Sequence, residues 1–463
     1  MSESQPQPAN QHISTDLTVG SIPRQLVAFA VPMLAGSLLQ TGYSLINAFW
    51  VGKFLGPSAL ATVTVSLPVV FVLISLAAGL TLATNVLIAQ YAGARDWKGI
   101  KRTVQTSIVF INGLSLLLLA LGLLFARWLL VIVQTPPEII DMATSYLRIF
   151  LWTLPFFFAI FLIGSMLRGI GDSRTPVYFQ AVSVVINAVL DPLLMFGWLG
   201  FPKLGLNGTA WATIISQIIA VIALLIYVDR RRPLVAPEWH RLCIDGETTR
   251  RLVMIGFPSA LQQSMVSTSM VFITRYVSAF GTTADAAFGA ALRIDQVSFL
   301  PALTIGLAVS TLTGQNIGAG RLERVRETLW WGMLLSGVIC GIITIAVIAT
   351  PATFLRAFIS DPQVITIGAG YLRIVGFTYV LYAVMFASNG VINGAGHTLT
   401  TTVVTLLALL GIRVPLAYYL SHALESVTGV WIAMTISVAV GMLLSLAVFF
   451  TGRWKRPVVR RGM

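Results

Sequence analysis

Long apolar runs alternate with short polar, mostly basic segments along almost the whole chain. Stretches of about 20 residues, enough to cross a hydrocarbon layer as a helix, fall near 26–50, 59–84, 103–125, 142–165, 176–197, 209–228, 252–277, 286–312, 328–349, 365–390, 399–420 and 428–450. This pattern predicts an all-α polytopic membrane protein with twelve transmembrane helices, an even number that leaves both ends on one side. The basic residues choose the side. One set of inter-span segments holds Arg95, Lys98, Lys101 and Arg102, then Arg168 and Arg174, six arginines between 229 and 251, and Arg321, Arg324 and Arg326; the other set holds only Lys53, Arg127, Lys203 and Arg356. By the positive-inside rule both termini are expected in the cytoplasm.

Composition removes the soluble alternatives: 56% of residues are hydrophobic and 10% charged, with a mean hydropathy of +0.86. A net charge of +13 would suggest nucleic acid in a soluble protein, but here it sits between the spans, so no nucleic-acid partner is expected. Cys243 and Cys340 make no disulfide or metal pattern.

The two halves repeat. Gln90, Gly93 and Ala94 recur 225 positions later as Gln315, Gly318 and Ala319, as do Tyr146-Leu147-Arg148-Ile149 at Tyr371-Leu372-Arg373-Ile374, and Gly169, Gly171 and Thr175 at Gly394, Gly396 and Thr400. Two six-helix lobes that start on the same side are related by a pseudo-two-fold axis along the membrane normal, with a cavity between them. The expected division is a disordered cytoplasmic tail (1–24), a first lobe (25–228), a cytoplasmic linker (229–251), a second lobe (252–452) and a basic tail (453–463).

Against this apolar background one segment carries chemistry, INAVLDPLLMF from Ile186. Asp191 lies deep in the fifth span, and Asn187 one turn earlier shares its face. An aspartate at the bilayer centre costs roughly 2.5–3.5 kcal/mol on insertion scales, which makes it a functional-site candidate. Pro192 gives no N–H to the Ala188 carbonyl, so a bend is expected there. Asn47 in the first span, Tyr146 in the fourth and Thr209 in the sixth stand at compatible depths, although alone the last two read as an interfacial tyrosine and a helix cap. Aligning Pro192 with Pro415 sets Arg413 opposite Leu190, so the acid of the first lobe has an arginine near its place in the second. Asp295, in the eighth span, is the other intramembrane acid. It is either a second ion site or the partner of Arg413, and the ion pair is the favoured expectation.

Taken together, Pro32, VGKFLG from Val51, QYAGA from Gln90, INAVLDP, RIDQVSFLPA from Arg293 and GQNIGAG from Gly314 resemble the multidrug and toxic compound extrusion (MATE) transporters, most like the DinF-related branch. The resemblance covers about residues 17–452. It implies a secondary transporter of the bacterial inner membrane that exports small organic cations by antiport with protons or sodium; a monomer surrounded by membrane lipid is expected, with no cofactor, no metal site and, because the four histidines fall in the tail and in or beside loops, no enzymatic activity. Carried over to this chain, it implies a cation-coupling cluster of Asp191, Asn187, Tyr146 and Thr209, with Asn47 where such proteins carry a first-span acid, and helix bends at Pro32 and Pro192. The missing acid favours the proton over sodium, since burial disfavours the charged form of an isolated carboxylate. A lipid or lipid-linked oligosaccharide flippase of the same superfamily is the alternative; it would need a more cationic cavity. A membrane enzyme would need clustered histidines or acids within the spans.

Overall fold

The structure is a computed structural model that describes residues 15–455 and residue 458. The first lobe comprises α1 (Ile22–Leu55), α2 (Pro57–Ala94), α3 (Trp97–Ile132), α4 in two pieces (Ile140–Leu151 and Leu154–Gly169), α5 (Arg174–Phe196) and α6 (Leu206–Arg231). The second lobe comprises α7 (Gly246–Ser278), α8 (Thr282–Gly318), α9 (Leu322–Ala349), α10 in two pieces (Pro362–Val375 and Thr378–Gly394), α11 (Thr398–Ala423) and α12 (Thr428–Phe450). A short helix, Pro351–Arg356, joins α9 to α10.

The repeat reaches down to local geometry. The two pieces of α4 meet at 42° and those of α10 at 41°. The turns that follow both need a glycine in the left-handed region, Gly171 (φ 90°) and Gly396 (φ 88°), where a Cβ would be strained. Within α11, residues Leu406–Arg413 form a π-helical stretch that has no counterpart in α5.

Among the described residues, nine helices are long and apolar enough to cross a bilayer, and the bent pairs add two. The twelfth crossing, α7, is 33 residues long but less apolar than the sequence pattern implied. Its polar groups are used inside the protein: Gln262 Nε2 donates to Thr405 Oγ1 at 2.8 Å and Ser269 Oγ to the Leu409 carbonyl at 3.5 Å.

The lobes are joined in the half of the molecule that carries the basic loops. Gln90 Nε2 donates to the Gly394 carbonyl at 2.9 Å, and its repeat mate Gln315 donates to the Gly169 carbonyl, also at 2.9 Å. The crossing is as close as backbone permits. A methyl group on Gly93 would lie 1.9 Å from the Gln315 oxygen, and one on Gly318 would lie 2.0 Å from the Gln90 oxygen. Further in, Thr311 Oγ1 donates to Asn85 Oδ1 at 3.1 Å, and a methyl on Gly79 would strike Ala260 N at 2.5 Å.

Residues 1–14 of the expected disordered tail, and 456–457 and 459–463 of the basic tail, lie outside the described residues. The part from residue 15 to 24 is packed, which corrects the expectation of disorder there. Leu17 is buried with Ile22, Leu26 and Phe29 against Ile305, Leu312 and Leu329 of the second lobe. Its N–H donates to Gln315 Oε1 at 3.1 Å, and Arg324 Nη1 donates to the Gly20 carbonyl at 3.0 Å. Asp16 faces Arg95 at 3.7 Å. Burial acts to raise the Asp16 carboxyl, but the Thr18 hydroxyl and N–H and the charges of Arg95 and Arg321 outweigh it and hold it below its ordinary value.

Two outcomes follow for this closed side. Gly93→Ala or Gly318→Ala overpacks the crossing at a cost of about 1–3 kcal/mol, so spin-label distances across the basic face should lengthen while those within each lobe stay fixed. Because the Asp16 carboxyl is held low, its contribution to the N-terminal strap is present above the ordinary carboxylate range and is lost as the pH falls through the lowered value. Protease cleavage within residues 15–20 should therefore speed up in acid, and should lose that dependence in Asp16→Asn.

Candidate intramembrane carboxylate site

Four helices build the site. α5 presents Asn187 and Asp191 four residues apart on one face, and both are buried, at 4% and 2% exposure. α1 supplies Tyr43, whose hydroxyl donates to Asp191 Oδ2 at 2.9 Å and also meets the Asn187 side chain. α6 supplies Thr213 and Ser216. With the Asn187 amide oriented by its hydrogen-bond network, its NH2 lies 3.2 Å from each Asp191 oxygen, and its Oδ1 lies 3.0 Å from Ser216 Oγ and 3.1 Å from Thr213 Oγ1. α4 brings Tyr146, buried beside Thr209 and within electrostatic reach of Asp191.

The donors thus converge on Asp191 without a counter-charge. Among the described residues, no lysine, arginine or histidine nitrogen lies within 4.0 Å of its carboxylate. A carboxylate taken out of water carries an effective penalty of several kcal/mol, which neutral hydrogen bonds offset only in part. Such a group can bind a proton or a cation, and it holds the two in competition.

The expected residues divide. Asn187 and Asp191 touch. Tyr146 and Thr209 stand next to one another at the edge, and Thr209 Oγ1 is spent on the Leu206 carbonyl at 2.9 Å. Asn47 does not join the network, and its Oδ1 is buried without a hydrogen-bond partner. Tyr43 takes its place one turn earlier on the same helix. Positions four apart on a helix share a face, so the depth and face that point to Asn47 admit Tyr43 equally. Pro32 and Pro192 both lie inside continuous helices.

In the second lobe the expected Asp295–Arg413 ion pair does not form. Asp295 Oδ2 accepts from Tyr371 OH and Oδ1 from Tyr379 OH, each at 2.5 Å. Arg413 instead donates through Nε to Ser437 Oγ at 2.8 Å, and one of its terminal nitrogens is buried without a partner. The reason is positional: α10 supplies two phenols within reach of Asp295, while the π-helical stretch ends at Arg413, beside α12. Among the described residues no three His, Cys, Asp or Glu side chains gather as metal ligands would.

Twelve crossings in two repeated lobes, with an acid buried between helices, define a membrane transporter. The particular family follows from comparison. The MatE family model matches residues 32–193 and again 258–419, once per lobe, and the chain belongs to that family. It is 32% identical over 445 residues to the probable multidrug resistance protein YoeA of Bacillus subtilis, covering 95% of this chain and 96% of that one. It is 27% identical over 452 residues to the probable multidrug resistance protein NorM of Thermotoga maritima, covering 96% of each. A solved structure described as MATE in complex with MaD3S superposes with a TM-score of 0.87 at 25% identity, over 95% of this chain and 97% of that one.

Tyr43→Phe removes a hydrogen bond to a carboxylate, a class of bond worth about 1.5–3 kcal/mol, and should lower the melting temperature at neutral pH. Asn47→Ala removes an oxygen that is buried without a partner and should not lower the melting temperature. Equal losses in the two variants would contradict this assignment of partners.

Proposed function

We propose that the protein is a secondary active multidrug exporter that drives organic cations out of the cell in exchange for protons, by alternating access between its lobes. The observation that carries this reading is the burial of Asp191 among neutral donors, with no cationic side chain paired to it. A unit charge pair about 4 Å apart is worth about 4 kcal/mol at an effective dielectric near 20, close to three orders of magnitude in affinity. Protonating Asp191 removes that attraction. Proton and cation therefore each weaken the other's binding, as exchange requires.

In this reading the basic face is cytoplasmic, the chain lies in the inner membrane as a monomer with both termini inside, and the lobes are closed toward the cytoplasm by the Gln90 and Gln315 contacts. A proton arriving from outside neutralises Asp191 and releases the cation outward. After the lobes exchange, the proton leaves to the cytoplasm and the next cation binds. The names of the relatives support multidrug cargo. The flippase reading calls for several basic side chains around the cavity; Arg413, the arginine that raised it, donates to Ser437.

Reconstituted vesicles test this. Uptake of a fluorescent organic cation should follow an imposed pH gradient, ignore a sodium gradient, and fall to the protein-free background in Asp191→Asn. Uptake that follows sodium, or that survives loss of the carboxylate, overturns proton coupling at this residue.

A further inference from the structure

The second lobe contains a buried acid that the scheme above does not use. Asp295 is held in α8 by two phenols of α10, one on each carboxylate oxygen. Both tyrosines are almost wholly buried, at 0% and 1% exposure, while Asp295 keeps part of its own surface. The elements packed against this part of α8 are α7, α10, the short helix Pro351–Arg356 and α12, whose Trp431 stacks on Phe288 and which carries no titratable side chain. Their titratable groups near the acid are Tyr371, Tyr379 and, next to those, Tyr382. None of the cations on these elements or on α8 itself, Arg250, Arg251, Arg275, Arg293, Arg356 and Arg373, comes within 4.0 Å of the carboxylate. Arg293 lies over the Phe358 ring, 5.8 Å from its centroid, and Asp285 accepts from Ser278 Oγ at 2.8 Å.

The repeat turns this from a local curiosity into a pattern. Tyr371 is the repeat mate of Tyr146, which stands beside Asp191 in the first lobe. Each lobe thus sets the same tyrosine of its fourth helix next to an intramembrane carboxylate. The acids come from different helices: α5 in the first lobe and α8 in the second, where position 70 of the first lobe holds a valine. The same kind of centre has been built twice on one scaffold from non-equivalent positions.

We propose that Asp295, Tyr371 and Tyr379 form a second proton-binding centre, so that each lobe carries one exchangeable proton. The step balances simply. A proton from water adds to one Asp295 oxygen, and the phenol that had donated to that oxygen rotates to accept, its own proton remaining in place. On release the phenol turns back. The protonated state removes an uncompensated buried charge, which costs several kcal/mol when unpaired.

Infrared difference spectroscopy of the purified full-length protein reads this directly, through the C=O stretch of protonated carboxyl groups shielded from water. Wild type should show two titrating components in that region, Asp191→Asn one, Asp295→Asn the other one, and the double variant neither. Tyr379→Phe keeps the carboxyl and should move the midpoint of the Asp295 component while leaving that of Asp191 in place, which a structural loss would not do. An unchanged spectrum in Asp295→Asn that is also insensitive to Tyr379→Phe overturns the second centre. Because the Asp295 component is read in the Asp191→Asn background, its presence or absence is independent of whether Asp191 couples transport.

Discussion

Gln90 and Gln315 each reach across the pseudo-two-fold axis to a glycine carbonyl of the other lobe, and the arrangement of the whole molecule depends on this reciprocal pair. In hydrocarbon there is no water to replace a lost partner. A buried amide or carbonyl left unsatisfied costs about 1–3 kcal/mol, so the crossing is stable only while both bonds are made together. The bonds need close backbones, which Gly93 and Gly318 allow. A carrier must also be able to leave this state, and ligand can shift the equilibrium only by its differential affinity for the two forms.

α1 connects this interface to the candidate coupling site. Its first turns, with the strap before them, are packed into the second lobe through Leu17, Ile22, Leu26 and Phe29. Three turns past Pro32, the same helix places Tyr43 on Asp191. A change of charge at Asp191 alters what the Tyr43 hydroxyl must do, and the helix that carries it is anchored on both sides of the lobe interface. That is a physical route between carboxylate and closure, made of one helix with partners in two places.

Much of this was legible in the sequence because the bilayer makes patterns simple. The apolar runs marked all twelve crossings, and the 225-residue repeat named Gln90, Gln315, Gly169 and Gly394 before any contact between them was visible. Asn187 and Asp191 could be paired because their spacing on one helix fixes a shared face. What failed was tertiary. Depth along a helix does not say which turn of α1 faces α5, so it points to Asn47 and passes over Tyr43, which makes the contact. Charge complementarity suggested Asp295 with Arg413, but the azimuth of α11 after its π-helical stretch sends the arginine to Ser437. The strap was hidden because residues 15–20 are polar apart from Leu17 and Val19, and most of their bonds are made through backbone atoms, which carry no sequence signal. The polar residues of α7 did not keep its run from passing as apolar, and their purpose was hidden because their partners lie on α11.

Proton–substrate competition at Asp191 is tested most directly by measuring proton release when an organic cation binds to the purified protein in weakly buffered solution. Competition predicts release on binding in wild type and a reduced release in Asp191→Asn, with cation affinity less dependent on pH in the variant. Release of the same size in Asp191→Asn, or cation binding in wild type with no proton released at any pH, would contradict it.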